Sequence, residues 1–266
     1  MTYLKGIVHR NNARLLATGV LLALLAANVT AAANPLEDAL RQQRDGKLRF
    51  EFAARPGVYG DGNSITINSR SYRDDDDVWP FEPGPVRVVL YVREGEVTRI
   101  KHAVGGRWPS TPRNTTDLGE VPPQDGTALL MRLAREARSS VAEDALAAAA
   151  LADGVELWPQ LLTIAQQRDR PRDVRKGAVF WLGQAAVEAT LGHLDGMAMD
   201  EDDEVEVREA AVFAISQRDD DEAVPTLIRI ARSDAHPKIR KSALFWLSQT
   251  DDPRVVQFFE ELLRDG

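Results

Sequence analysis

Three stretches decide the fold: VRKGAVFWLGQ over Val174–Gln184, VREAAVFAISQ over Val207–Gln217 and IRKSALFWLSQ over Ile239–Gln249. They align without gaps at offsets of 33 and 32 residues, and a degenerate fourth copy, VAEDALAAAAL, begins at Val141. Within one copy Val174, Ala178, Leu182 and Ala185 fall on one helical face. Self-similarity at this period marks a solenoid, whose units bury their apolar faces only against neighbouring units.

A second helix follows each first one. WPQLLTIAQ from Trp158 matches VPTLIRIAR from Val224, and VVQFFEELLR from Val255 and LLMRLAR from Leu129 keep the same apolar positions. Pro159 and Pro225 are expected in first turns, where the missing N–H costs nothing. The reading is a half-repeat at Gly126–Arg138 followed by four helical pairs.

Polar residues recur as well. Arg175, Arg208 and Arg240 hold the second position of the repeated stretch, and six residues before them stand Asp169, Asp202 and Asp234. An Asp in each turn facing the Arg of the next helix would form a ladder along the array, since guanidinium offers several donors in fixed geometry. This Asp/Arg ladder resembles that of HEAT repeats, in the short bacterial form found in bilin-lyase-like proteins. The T-P-L-H and W-L-G-Y signatures of ankyrin and tetratricopeptide arrays are missing. FWLGQ at Phe180, FWLSQ at Phe245, DPRVVQFFEELL at Asp252 and RPGVYGDG at Arg55 also resemble an exported bacterial HEAT-repeat family of uncharacterised function. That family often carries cysteines near the last motif. Here Tyr59 and Phe81 stand in comparable places, so no disulfide role carries over.

The start of the chain has a different character. Lys5, Arg10 and Arg14 precede an uncharged run from Leu15 to Ala33 that ends in Thr30-Ala31-Ala32-Ala33. This is the three-part pattern of a secretory signal peptide, with cleavage expected after Ala33 and an uncleaved anchor as the alternative. Cleavage would remove three basic residues and no acidic ones, leaving 30 basic against 41 acidic over 233 residues, a net charge of −11. An exported location, periplasmic or extracellular, follows as an expectation, with no stable membrane span in the mature chain.

Between signal and repeats the period is two. Leu48–Phe52, Ser64–Ile67, Val86–Val92 and Val97–Val104 alternate or are β-branched, and Glu94-Gly95-Glu96 reads as a hairpin turn. A short helix is expected over Leu36–Arg44, and Gly105–Gln124 reads as a linker. The predicted organisation is a signal peptide (1–33), a small β-rich domain with linker (34–124) and a helical array (125–266). The fold class is mostly α: a C-terminal HEAT-type α-solenoid preceded by a small antiparallel β-rich N-terminal domain.

Composition narrows function mainly by exclusion. No cysteine is present, which removes thiol catalysis and thiolate metal sites, and net acidity argues against nucleic acid. His9, His102, His193 and His236 lack helical zinc spacing, and no nucleophile elbow or phosphate loop occurs. No cofactor, metal or catalytic residue is expected. Asp74–Asp77 lacks calcium-loop spacing and reads as a solvated charge run. Phe180, Phe213 and Phe245 recur four residues before Gln184, Gln217 and Gln249. They read as inter-repeat core, each Gln bonding a neighbouring helix end, with a peptide-gripping aromatic strip as the alternative. Two function classes stay open: a non-enzymatic protein-binding scaffold of unidentified partner, using a second-helix groove near Gln160, Arg229 and Gln257, and a bilin-lyase-like or other enzyme or chaperone that holds a small apolar ligand.

Overall fold

Alternation builds the sheet first. In strand β1 (Gly46–Phe52) the side chains of Leu48, Phe50 and Phe52 are buried, while Arg49 and Glu51 point to the other face. A computed structural model describes residues 34–67, 81–108, 113–137, 140–185, 188–233 and 236–265. Residues 1–33, with the expected signal peptide, the acidic run Asp74–Asp77 and Asp234 lie outside the described residues.

β4 (Val86–Arg93) and β5 (Glu96–Val104) complete an antiparallel meander with β1, pairing Leu48 with Leu90, Phe50 with Val88 and Phe52 with Val86. The expected hairpin joins β4 to β5: Glu94 and Gly95 both take positive φ, 56° and 83°, as a two-residue turn of this hand requires. β2 (Val58–Gly60) and β3 (Ile65–Ile67) form a separate two-stranded ladder.

The linker reading of Gly105–Gln124 is corrected. Its second half contains β6 (Thr115–Glu120), which pairs parallel to β1 and gives the order β5-β4-β1-β6. TTDLGE is an edge strand with no buried residue, so it carries no apolar alternation to read. Arg49 reaches across to Asp117 at 2.6 Å and ties this edge down. Arg49 and Arg87 also flank Trp108, whose indole donates to Glu51 at 2.7 Å.

The apolar face of the sheet packs on helices. α1 (Pro35–Gln42) is capped by Asn34 and clipped to α2 (Pro123–Glu136) by a bidentate Arg132–Glu37 pair at 2.7 and 2.8 Å. α2 meets β1 at Gly126, where a Cβ would lie 2.7 Å from the Phe52 ring. α3 (Ser140–Ala150) packs against β5. There burial lowers the pKa of His102, against the nearby charge of Asp144, and raises that of Asp144 itself. One core runs from the sheet into the helices, and residues 34–266 form a single unit.

The pairs follow as read. α3 precedes α4 (Trp158–Gln166), α5 (Arg172–Gln184) precedes α6 (Glu188–Met199), α7 (Val205–Ser216) precedes α8 (Asp220–Ser233), and α9 (Pro237–Leu247) precedes α10 (Pro253–Asp265). With α1 and α2 these make ten helices among the described residues, so the protein is mostly helical with a C-terminal helical repeat region. First helices touch in the order α3, α5, α7, α9. Small buried residues at equivalent places, Ala145, Ala178, Ala211 and Ala243, let them approach. Pro159 sits in the first turn of α4 as expected, but Pro225 lies inside α8, which begins five residues earlier. The acidic start Asp220-Asp221-Glu222 favours that earlier beginning by complementing the helix dipole. Among the described residues no helix is long and apolar enough to cross a membrane.

Candidate functional site

Arginine and carboxylate do meet between repeats at Arg175. Arg175 is 1% exposed and holds Asp203, not Asp169 or Asp202, through two hydrogen bonds of 2.8 and 2.5 Å. Its Nε donates to the Ala165 carbonyl at the end of α4, at 2.8 Å. Arg208 repeats that cap on Ala198 of α6 at 2.9 Å. Each of these arginines thus satisfies a carbonyl that the preceding helix leaves open. Asp169 and Asp202 are exposed on the outer side of their turns, and Arg240 is exposed on α9. Asp203 stands one residue nearer the helix than Asp202, which turns its carboxylate back towards α5. Burial pushes the Asp203 carboxyl up, but the Arg175 hydrogen bonds, the Glu204 N–H and the charges of Arg175 and Arg168 together hold it below its ordinary value.

An exception in the array follows the same logic. The position of Arg175 is occupied by Ala142 in α3, and the position of Asp203 is occupied by Arg170. A carboxylate at 170 would face no arginine. Arg170 instead reaches back and donates to the carbonyls of Ala134, Arg135 and Ala137, at 2.5, 2.7 and 2.6 Å, closing the end of α2.

The aromatic repeat is corrected more sharply. Phe180 and Phe213 are half-buried, Phe245 is 53% exposed, and none of the three belongs to the buried core. Phe180 follows Ala178 by two residues, about 200° around the helix, and so faces away from the core. The rings instead line up across the first helices. Phe180 stacks on Phe213 with centroids 6.3 Å apart and planes at 7°, and Phe213 meets Trp246 at 5.1 Å. Trp181 and Phe245 extend the two ends by edge contacts of 5.0 Å. The result is an accessible aromatic band over α5, α7 and α9.

The glutamines do not bond neighbouring helix ends. Gln217 and Gln249 are exposed and donate to Ser216 and Ser248, whose hydroxyls donate to the carbonyls of Phe213 and Phe245 at 2.7 Å. In α5 the serine position is Gly183, where a Cβ would lie 2.8 Å from that of Ala214. Close approach of α5 and α7 excludes the side chain.

The sheet ends the band on one side. Ala147 replaces the phenylalanine in α3, and Asp144 on the same face meets β5. At this junction Arg55 donates its backbone N–H to Leu151 at 2.8 Å and lines a cavity of about 150 Å³ with Trp158, Trp181 and Gln184. Burial lowers the pKa of Arg55, and its Nε is inaccessible and has no hydrogen-bond partner. Neither the cavity nor Arg55 was anticipated from sequence.

The second-helix face is different. Gln160 accepts from Arg135 at 2.9 Å, Arg229 pairs with Asp195, and Gln257 donates to Glu261, which also takes Arg232. These polar groups are occupied within the array. A larger hollow there, about 390 Å³, is lined by Arg168, His193, Asp200 and Asp203. Among the described residues no cluster of three His, Cys, Asp or Glu is placed to hold a metal ion.

No curated protein matches the chain. The family model described as HEAT repeats matches residues 196–266, from the end of α6 through α10. The helical pairs there, with an arginine cap and recurring rings, are similar to HEAT repeats.

Proposed function

We propose that this protein is an exported, non-enzymatic interaction scaffold whose solenoid binds an extended protein segment along the aromatic band. The observation that carries this reading is the register of the rings: aromatic side chains stand accessible at equivalent positions of three successive first helices. HEAT repeats generally mediate protein–protein interaction, which is compatible with it.

The pitch of the band favours one kind of partner. The Phe180 and Phe213 rings are 6.3 Å apart, and alternate residues of an extended chain lie about 6.5 Å apart. A segment with apolar side chains at every second position therefore places one on each of these two rings. Gln217 and Gln249, exposed beside the rings, supply amide groups suited to its main chain. The small-ligand reading has less support. The apolar cavity is about 150 Å³, below the roughly 300–1,000 Å³ of sites for larger ligands, and the larger hollow is lined by charge.

The test is comparative capture from the native envelope. Wild-type protein and a Phe180→Ser/Phe213→Ser/Phe245→Ser variant serve as baits, with matched folding checked by circular dichroism. A partner retained by the first and lost by the second supports the scaffold; identical recovery on both baits ends it. The mass of the exported protein tests signal removal, and retention of residues 1–33 would refute cleavage.

A further inference from the structure

We infer that the cavity at the sheet end of the band is a receptor for the free C-terminal carboxylate of a peptide ending in an apolar residue. This rests on the scaffold reading above and assigns the point where the bound segment terminates.

The cavity combines two features. One part of its wall is apolar, formed by Val155, Leu161 and the indoles of Trp158 and Trp181. At about 150 Å³ it matches cavities that take one benzene-sized group, hence one leucine or phenylalanine side chain. Its second feature is Arg55. Among the described residues no carboxylate lies within ion-pair distance of this guanidinium, and its Nε is shut off from solvent. By contrast, Arg175 is paired with Asp203 and Arg170 donates to three carbonyls. A half-buried guanidinium with no carboxylate partner at the edge of a partly apolar cavity is suited to an incoming anion. An apolar side chain beside a carboxylate, two bonds apart, is what a chain terminus presents.

Glu156 also lines the cavity, exposed, with its carboxylate accepting from the Trp158 indole at 2.5 Å. It disfavours a second negative charge and so opposes acidic side chains next to the terminus. The covered face of α3 gives direction. The band stops at the sheet, and the Arg55 cavity lies at that stop, next to Trp181. A segment running along the rings ends there.

The experiment uses the chain from residue 34 to 266 with N-acetyl-leucine, its C-terminal amide and the pentapeptide N-acetyl-Phe-Ser-Phe-Ser-Leu in acid and amide forms. Binding is followed by the indole N–H resonances of Trp158 and Trp181, assigned with Trp158→Phe and Trp181→Phe. The acids are expected to bind at least about tenfold tighter than the amides, as a charge-assisted hydrogen bond implies. Arg55→Met should abolish that difference, and Glu156→Gln should tighten the acids. Equal affinity of acid and amide, silence of both indoles, or a difference that survives Arg55→Met would overturn the inference. Phe213→Ser tests the band separately through the pentapeptide. A terminal-charge dependence without any effect of Phe213→Ser keeps the cavity and removes the band, and the opposite result removes the cavity.

Discussion

Arg175 and Phe180 stand five residues apart on α5, and their surroundings are exchanged relative to their hydropathy. The arginine is 1% exposed between repeats, and the phenylalanine lies half in solvent on the outer face. The first region is polar, buried and fully partnered; the second is apolar, accessible and partnered only by its own kind. Partners decide which side chain goes inside. A helix-end carbonyl and a carboxylate make the arginine tolerable in the core, whereas the phenylalanine is held out by its angular position. On the scaffold reading, structure and recognition are separated on a single helix.

The largest way to break this contrast is Arg175→Met. It leaves Asp203 buried beside α5 and Ala165 without its cap, and should cost about 3–5 kcal/mol in urea unfolding. Adding Asp203→Leu should restore most of the loss, because a buried ion pair is replaceable by packed apolar groups. A double variant no more stable than the single would mean that the capping bond outweighs the ion pair.

Next comes Arg170→Ala, which opens three carbonyls at the end of α2 and should cost about 2–3 kcal/mol. Replacing both odd residues together, Ala142→Arg with Arg170→Asp, rebuilds the arrangement seen at Arg175 and Asp203. That pair should be more stable than Arg170→Asp alone, as melting temperatures will show.

Acid provides a gentler probe. The Asp203 pKa is lowered in the folded protein, so its stabilisation is complete above the ordinary carboxylate range and fades as pH falls through the lower folded value. Wild type should lose stability over that acid window more steeply than Asp203→Asn, measured by urea midpoints at stepped pH. Parallel curves would deny the pair its role.

The smallest effects are expected on the band. Phe213→Ala should cost about 1–2 kcal/mol, less than the ~3–5 of a core phenylalanine, and Phe245→Ala no more than about 0.5. Denaturant unfolding of both variants checks this. A core-sized loss at Phe213 would return the ring to a packing role.

The helical pairs were legible because the repeat states its own period three times, and the core positions Val174, Ala178 and Leu182 are buried as the spacing requires. The outward direction of Phe180 was already contained in that spacing, two residues off the core set. Its hydrophobicity suggested the wrong face. The Asp203 pairing was not read, since the expected ladder joined each Asp to the arginine of the following helix, whereas Asp203 turns back to Arg175 of α5. β6 and the Arg55 cavity were not legible. An exposed edge strand has no alternation, and Arg55 gains its neighbours only when a loop after β1 meets α3 and α5.

The substitution of Ala147 for phenylalanine where the sheet covers α3 has an engineering consequence. The sheet is joined to one specialised end unit, while α5 through α10 are built from interchangeable parts. Duplicating residues 174–206 should therefore lengthen the protein as a module, adding one arginine clamp and one aromatic rung without disturbing the junction. The reach of the band becomes a countable quantity, set by copy number.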